Sequence, residues 1–168
     1  MDSTMLLALA LACAPHVDAG TVEALVAVES SHNPHAIGVV GGSLVRQPRQ
    51  RAEAVATAKA LRAGGWDFSV GLAQINVRNF ERLGLSIETA FDPCANLAGM
   101  QAVLSECFKR ASQRNDPVPT DPQLAVREAL SCYYSGNFVT GFRHGYVRRV
   151  LTAAARSLAP SSLPKEAL

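Results

Sequence analysis

Glu29 has the surroundings that most suggest chemistry. It stands four positions after Leu25 and three after Val26 in V-E-A-L-V-A-V-E-S, so on a helix it shares their apolar face. It also falls in the last turn, where the carbonyl end of a helix carries partial negative charge. Loss of water and the helix dipole both disfavour a carboxylate and raise its pKa. A carboxylic acid that keeps its proton near neutrality can act as a general acid. The plainer alternative puts Glu29 at the edge of the face, reaching water.

Two other clusters could bind a polar ligand. Gly71-Leu72-Ala73-Gln74-Ile75-Asn76 follows Trp66, Phe68 and Ser69. Gly71 permits close backbone approach, and the amides of Gln74 and Asn76 suit sugar hydroxyls or an N-acetyl group. Alone, the G-x-x-Q pattern also fits an ordinary turn. Five of the ten aromatic residues, Tyr133, Tyr134, Phe138, Phe142 and Tyr146, fall within one short stretch. Aromatic faces stack on sugar rings and phenols can orient a carboxyl group. The phenylalanines read as a last core layer, whereas the tyrosines around Ser135-Gly136-Asn137 read as a polar wall. Glu29, His32 and His35 have a metal-like spacing, but Pro34 keeps them off one helix face, so no metal is expected. His144 reads as a surface residue or a groove contact.

The elements that must position these groups are mostly helices. Thr21 reads as the N-cap of the Glu29 helix, and Asn33-Pro34 stops it. Residues 36–50, with Gly41-Gly42, suggest a small hairpin or an open loop. A helix over 51–63 ends at Gly64-Gly65. A turn and a short helix follow around 71–83, then helices at about 95–111, 122–134 and 143–157. Residues 115–122 form a proline-rich connection, and 158–168 a mobile tail. The expectation is one mostly α domain over residues 1–157.

With 168 residues, 48% apolar and 18% charged, the chain can bury a proper core and is not disordered. A net charge of +2 is too small to argue for nucleic acid. No apolar run reaches the roughly 20 residues of a membrane span. Residues 5–14 tempt one to see a signal peptide, but Asp2 precedes them with no Lys or Arg, and a short core helix stapled by Cys13 explains them as well. The four cysteines lack close C-x-x-C spacing and fit two disulfides in an oxidising compartment, with four inert thiols as the alternative. Of three connectivities, Cys13–Cys94, both near prolines, and Cys107–Cys132, both on expected helices, are the pairing expected.

The clusters also occur in this order in a known family. V-E-S-S-H-N-P-H-A resembles the E-S-x-x-x-P-x-A signature of soluble lytic transglycosylases, relatives of goose-type lysozyme. G-L-A-Q-I-N is similar to their G-L-M-Q-I motif, with Ala73 for methionine. C-Y-Y-S-G-N resembles A-Y-N-A-G, with Tyr134 for asparagine, and Y-V-R-R-V resembles Y-V-x-x-V. C-A-P, G-V-V-G-G-x-L-V-R-Q-P, D-P-C and S-C-Y-Y look closer still to the peptidoglycan-cleaving component of bacterial type IV secretion systems.

The resemblance implies a lysozyme-like fold and a periplasmic, monomeric enzyme that needs no cofactor. Its partners would be glycan strands and other secretion-channel proteins. It makes Glu29 the single acid/base, protonating the glycosidic oxygen and then accepting the proton of the muramyl C6 hydroxyl. The product would be a 1,6-anhydro sugar. Tyr146 would hydrogen-bond Glu29, and Ser30 would support its loop. Ser69, Gly71, Gln74, Asn76, Tyr133, Tyr134 and Asn137 would contact substrate, with Ala73 altering a subsite. The longer 38–66 segment would serve specificity or partner binding. A water-using muramidase would need a second carboxylate from Asp67, Glu53 or Asp92. A non-catalytic glycan-binding scaffold is the remaining alternative.

Overall fold

The computed structural model describes residues 1–113 and 121–158. Among them helices dominate: α1 (Ser3–Cys13), α2 (Ala19–Ser30), α3 (Arg51–Ala63), α4 (Ile87–Ala90), α5 (Pro93–Ser112), α6 (Pro122–Ser135), α7 (Thr140–Arg143) and α8 (Tyr146–Leu158). Three short strands, β1 (Ile37–Val39), β2 (Phe68–Val70) and β3 (Ile75–Asn76), form one antiparallel sheet in that order. This is the mostly α, lysozyme-like architecture expected. The tail beyond 158 and most of the proline-rich connection lie outside the described residues.

The helix that carries Glu29 is α2. Val22, Ala24, Leu25 and Val26 are buried, and the helix packs against α8, whose Tyr146, Val147 and Val150 are buried in turn. Its N-cap is Asp18, not Thr21. The Asp18 carboxylate accepts from the Thr21 backbone N–H at 2.9 Å, one of the orphan donors of a first turn, and Thr21 occupies the third helical position. Ahead of Pro34 the helix ends in two left-handed residues, Ser31 and His32, with φ of 51° and 63°. The His32 ring closes this turn on Glu23, with Nε2 and Oε1 2.9 Å apart.

Residues 36–50 do not pair with one another. Ile37, Gly38 and Val39 pair instead with Val70, Ser69 and Phe68, a partner about thirty residues away that no local pattern announces. Beyond β1 the chain is the open loop that was the other expectation. Gln47 returns from it, accepting from the Ile37 N–H and donating to the Ile37 carbonyl, both at 2.9 Å. The helix expected near 71–83 is a turn, β3 and two single 3₁₀ turns, Val77–Asn79 and Glu81–Leu83. Asn76 starts the first turn by accepting from the Arg78 N–H. The last expected helix, 143–157, is present as α8 but starts three residues later, after Gly145, whose φ of 69° an ordinary side chain resists.

Both disulfides have the expected pairing, Cys13–Cys94 and Cys107–Cys132. They tether the two ends of α5, one end to α1 and the other to α6. Between them α5 carries Asn96, buried at 1% exposure among apolar neighbours. Its amide oxygen accepts from the Ala73 N–H at 2.8 Å, and its nitrogen donates to the carbonyls of Val70 and Ala90 at 3.0 and 2.8 Å. The turn between β2 and β3 is thus fixed to the helix behind it. Asn96→Ala removes three buried hydrogen bonds to backbone groups in a dry site, and a loss of about 3–5 kcal/mol in denaturant unfolding of the oxidised protein is expected.

Candidate active site

A cleft of ≈ 520 Å³ runs between the sheet and α6. Glu29 lies in it with Gly38, Val39 and Val40 from β1 and its continuation, Asp67 just before β2, Ser69 from β2, and Gln74 and Asn76 from the β3 turn. Ile75, Arg78, Asn79, Val103 of α5, Tyr133, Tyr134, Ser135 and Gly136 complete the wall. Glu29 comes from the last turn of α2, as the apolar spacing requires.

The Glu29 carboxyl is largely withdrawn from water. Tyr146, itself 1% exposed, donates its phenol to Glu29 Oε1 at 2.5 Å across a separation of 117 residues. Desolvation pushes the Glu29 pKa up to about 7; the Tyr146 hydrogen bond and the Arg149 charge hold it down, and burial prevails. Burial and the nearby carboxylate raise the Tyr146 phenol far above its ordinary value, and Tyr133 moves the same way for the same reasons. Both phenols therefore stay donors. The Arg149 guanidinium lies 5.7 Å from the Tyr146 ring centroid and donates to the His144 carbonyl, fixing a cation behind the acid.

The other side chains hold the wall in shape. Tyr133 donates to the Ala73 carbonyl at 2.7 Å. Tyr134 stacks on Tyr146 with centroids 4.6 Å apart, and its hydroxyl meets His144 Nδ1 at 3.2 Å. Gln74, at φ 50°, donates to the carbonyls of Ala36 and Gly71. Its side chain crowds Gly38 so closely that a Cβ there would stand 2.7 Å from Oε1. Asn76 donates to Asp67 at 2.8 Å and to Ser69 at 3.4 Å, and Arg78 pairs with Asp67 at 2.9 Å.

Ser30, Gly71 and Asn137 do not line the cleft, and neither does Tyr146, which reaches Glu29 from outside its lining. Gly71 lets a backbone approach closely, but the approaching group is Asn96: a Cβ at this position, where φ is 81°, would stand 2.3 Å from its amide nitrogen. Asn137 accepts from the N–H groups of Val139 and Thr140 and starts α7. Ser30 donates back to the Val26 carbonyl at the end of α2. Of the three candidate second carboxylates, Asp67 alone is in the cleft, held by Arg78 and Asn76. Glu53 pairs with Arg46, and Asp92 caps α5. Two contributors escaped the sequence reading. Asn96 shares a helix face with Met100, and an amide four positions before a buried methionine was its signal. Arg149 follows Tyr146 by three, the spacing that places both on one side of α8.

Residues 7–152 match the family model described as "Transglycosylase SLT domain". The chain is 47% identical over 153 residues to "Type IV secretion system protein virB1" of Brucella suis biovar 1, covering 88% of this chain and 63% of that protein. It is 36% identical over 157 residues to "Protein virB1" of Agrobacterium fabrum, covering 92% and 61%. It thus spans about three-fifths of the length of these curated relatives. No solved structure gives a significant match.

The raised acid makes stability depend on pH. Between 4.5 and about 7 the folded protein holds the Glu29 proton more tightly than the unfolded chain does, so stability falls as pH rises through that window. Glu29→Gln has no such proton. Its unfolding free energy is expected to exceed that of the wild type by about 3 kcal/mol on the alkaline side and to match it in acid, as measured by denaturant unfolding across pH.

Proposed function

The chain belongs to the transglycosylase SLT domain family, and from that premise we propose that it is a peptidoglycan lytic transglycosylase. Its substrate is the β-1,4 bond between N-acetylmuramic acid and N-acetylglucosamine. The observation that carries the proposal is Glu29: one desolvated carboxyl with its pKa near neutrality, in contact with a buried phenol at the floor of a polar cleft.

In the proposed reaction Glu29 donates its proton to the glycosidic oxygen as the bond from that oxygen to the muramyl anomeric carbon breaks. The departing N-acetylglucosamine leaves with a new hydroxyl. The Glu29 carboxylate then takes the proton of the muramyl C6 hydroxyl, whose oxygen closes on the anomeric carbon. The acid is regenerated, and the product is a 1,6-anhydro sugar formed without water. The nucleophile belongs to the sugar, so a single carboxyl suffices. Tyr146 stabilises the carboxylate between the two steps and fixes its orientation, and neither tyrosine can itself supply a proton near neutrality.

The remaining sugar contacts would come from Ser69, Gln74, Asn76, Tyr133 and Tyr134 around this acid. The name of the Brucella relative ties that protein to type IV secretion, and two disulfides suit an oxidising compartment. The proposed setting is therefore the periplasm, where the protein opens the wall for a secretion channel, acting as a monomer on glycan strands beside the channel proteins. Among the described residues no helix is long and apolar enough to cross a membrane.

Muropeptide mass spectrometry tests the chemistry. Wild-type protein should release 1,6-anhydromuramyl ends and Glu29→Gln none; reducing muramyl ends would favour the water-using muramidase, and binding without cleavage the scaffold. The rate should fall as pH rises through about 7, because the acid form is being lost. Tyr146→Phe removes a bond that favours the carboxylate, so the alkaline limb of its pH–rate profile should move upward. An unshifted limb would separate the phenol from the acid.

A further inference from the structure

The strand pair that walls the cleft begins at an aromatic ring which the cleft lining does not include. Trp66, the single tryptophan of the chain, is 51% exposed between the end of α3 and Asp67. Its backbone is fixed by the way α3 stops. Gly65 takes φ of 73°, its N–H bonds to the Arg62 carbonyl at 3.1 Å, and the Trp66 N–H bonds to the Leu61 carbonyl at 3.0 Å. These two bonds with a left-handed glycine form a Schellman termination, with Trp66 as the first residue beyond the glycine.

Gly64 makes room for the ring, and Gly42 lies at ordinary contact distance from it. A Cβ on Gly64 would stand 3.0 Å from indole Cδ1, and one on Gly42 would stand 3.6 Å from Cζ3. The next residue, Asp67, accepts from the Val40 N–H at 2.9 Å. Asp67 and Val40 both line the cleft, as does Val39, whose Cγ1 would lie 3.5 Å from the same Gly42 Cβ. The indole thus lies against the loop that continues β1, one residue before the cleft residue Asp67, exposed and already positioned. An aromatic plane ordered before binding stacks on the C–H face of a sugar at little further entropic cost.

We propose that Trp66 is a stacking platform for a sugar ring beyond the cleft, which makes the protein select glycan strands of several sugars over a disaccharide. The proposal rests on the glycan-cleaving reading above and adds a subsite to it. Because Trp66 is the sole tryptophan, its emission reports on that subsite directly.

The test titrates Glu29→Gln protein, which binds without cleaving, with soluble uncross-linked glycan strands and separately with the N-acetylglucosaminyl–N-acetylmuramic acid disaccharide. Strands should shift the emission saturably and the disaccharide should not. Calorimetry on the Glu29→Gln background should show that Trp66→Ala weakens strand binding about tenfold. Trp66→Phe keeps an aromatic face and should restore most of that affinity. Unchanged emission with strands that wild-type protein cleaves would overturn the platform while leaving the transglycosylase reading intact. A saturable shift on strands that the wild type fails to cleave would support the platform and overturn the chemistry. Equal weakening by the Ala and Phe variants would also overturn it, since stacking would then not be the interaction lost.

Discussion

A carboxyl and a phenol 117 residues apart meet where water is scarce, and much of the molecule exists to keep them there. Glu29 sits at the end of α2, where the buried face of that helix emerges into the cleft. Tyr146 has to open α8, because that helix lies along α2 and brings the phenol beneath the acid. Neither helix could shift by one residue without parting them. Arg149 and the stacked Tyr134 flank the Tyr146 ring, and the carboxyl keeps one side toward the cleft. The balance among these decides its protonation: removal from water outweighs the hydrogen bond and the charge together.

The other half of the cleft depends on an amide. Asn96 joins the turn after β2 to α5, and the Ala73 carbonyl of that turn receives the Tyr133 phenol. A chain of hydrogen bonds therefore runs from a helix anchored by disulfides, through the turn, to a wall residue of the cleft. Buried polar groups that are fully paired in this way impose one geometry on a core that apolar packing alone would leave looser.

Much of this was legible in the sequence, and the exceptions have a common cause. The apolar spacing of Leu25, Val26 and Glu29 is a local property, and it placed the acid correctly. The cysteine pairing and most helix limits also followed from neighbours a few residues away. Pairing of β1 with β2 was not legible, because a three-residue strand does not carry the identity of a partner thirty positions on. Gly71 and Asn137 were read as ligand contacts for a related reason. A glycine announces that something comes close, and an asparagine that something is hydrogen-bonded, yet neither says what. Here Gly71 faces an amide from α5, and Asn137 faces its own backbone. Asp18 displaced Thr21 as the cap because both residue types can start a helix and only the geometry chooses between them.

Gln47 has a consequence of its own. The outer rim of β1 would otherwise present unpaired backbone groups, which is how one sheet recruits a strand from another chain. The glutamine amide occupies Ile37's donor and acceptor together, mimicking a neighbouring peptide while contributing no strand that could be extended. The loop that carries it returns the chain to its own sheet margin. At Ile37 the sheet margin therefore has no free backbone pair to offer a strand from another chain.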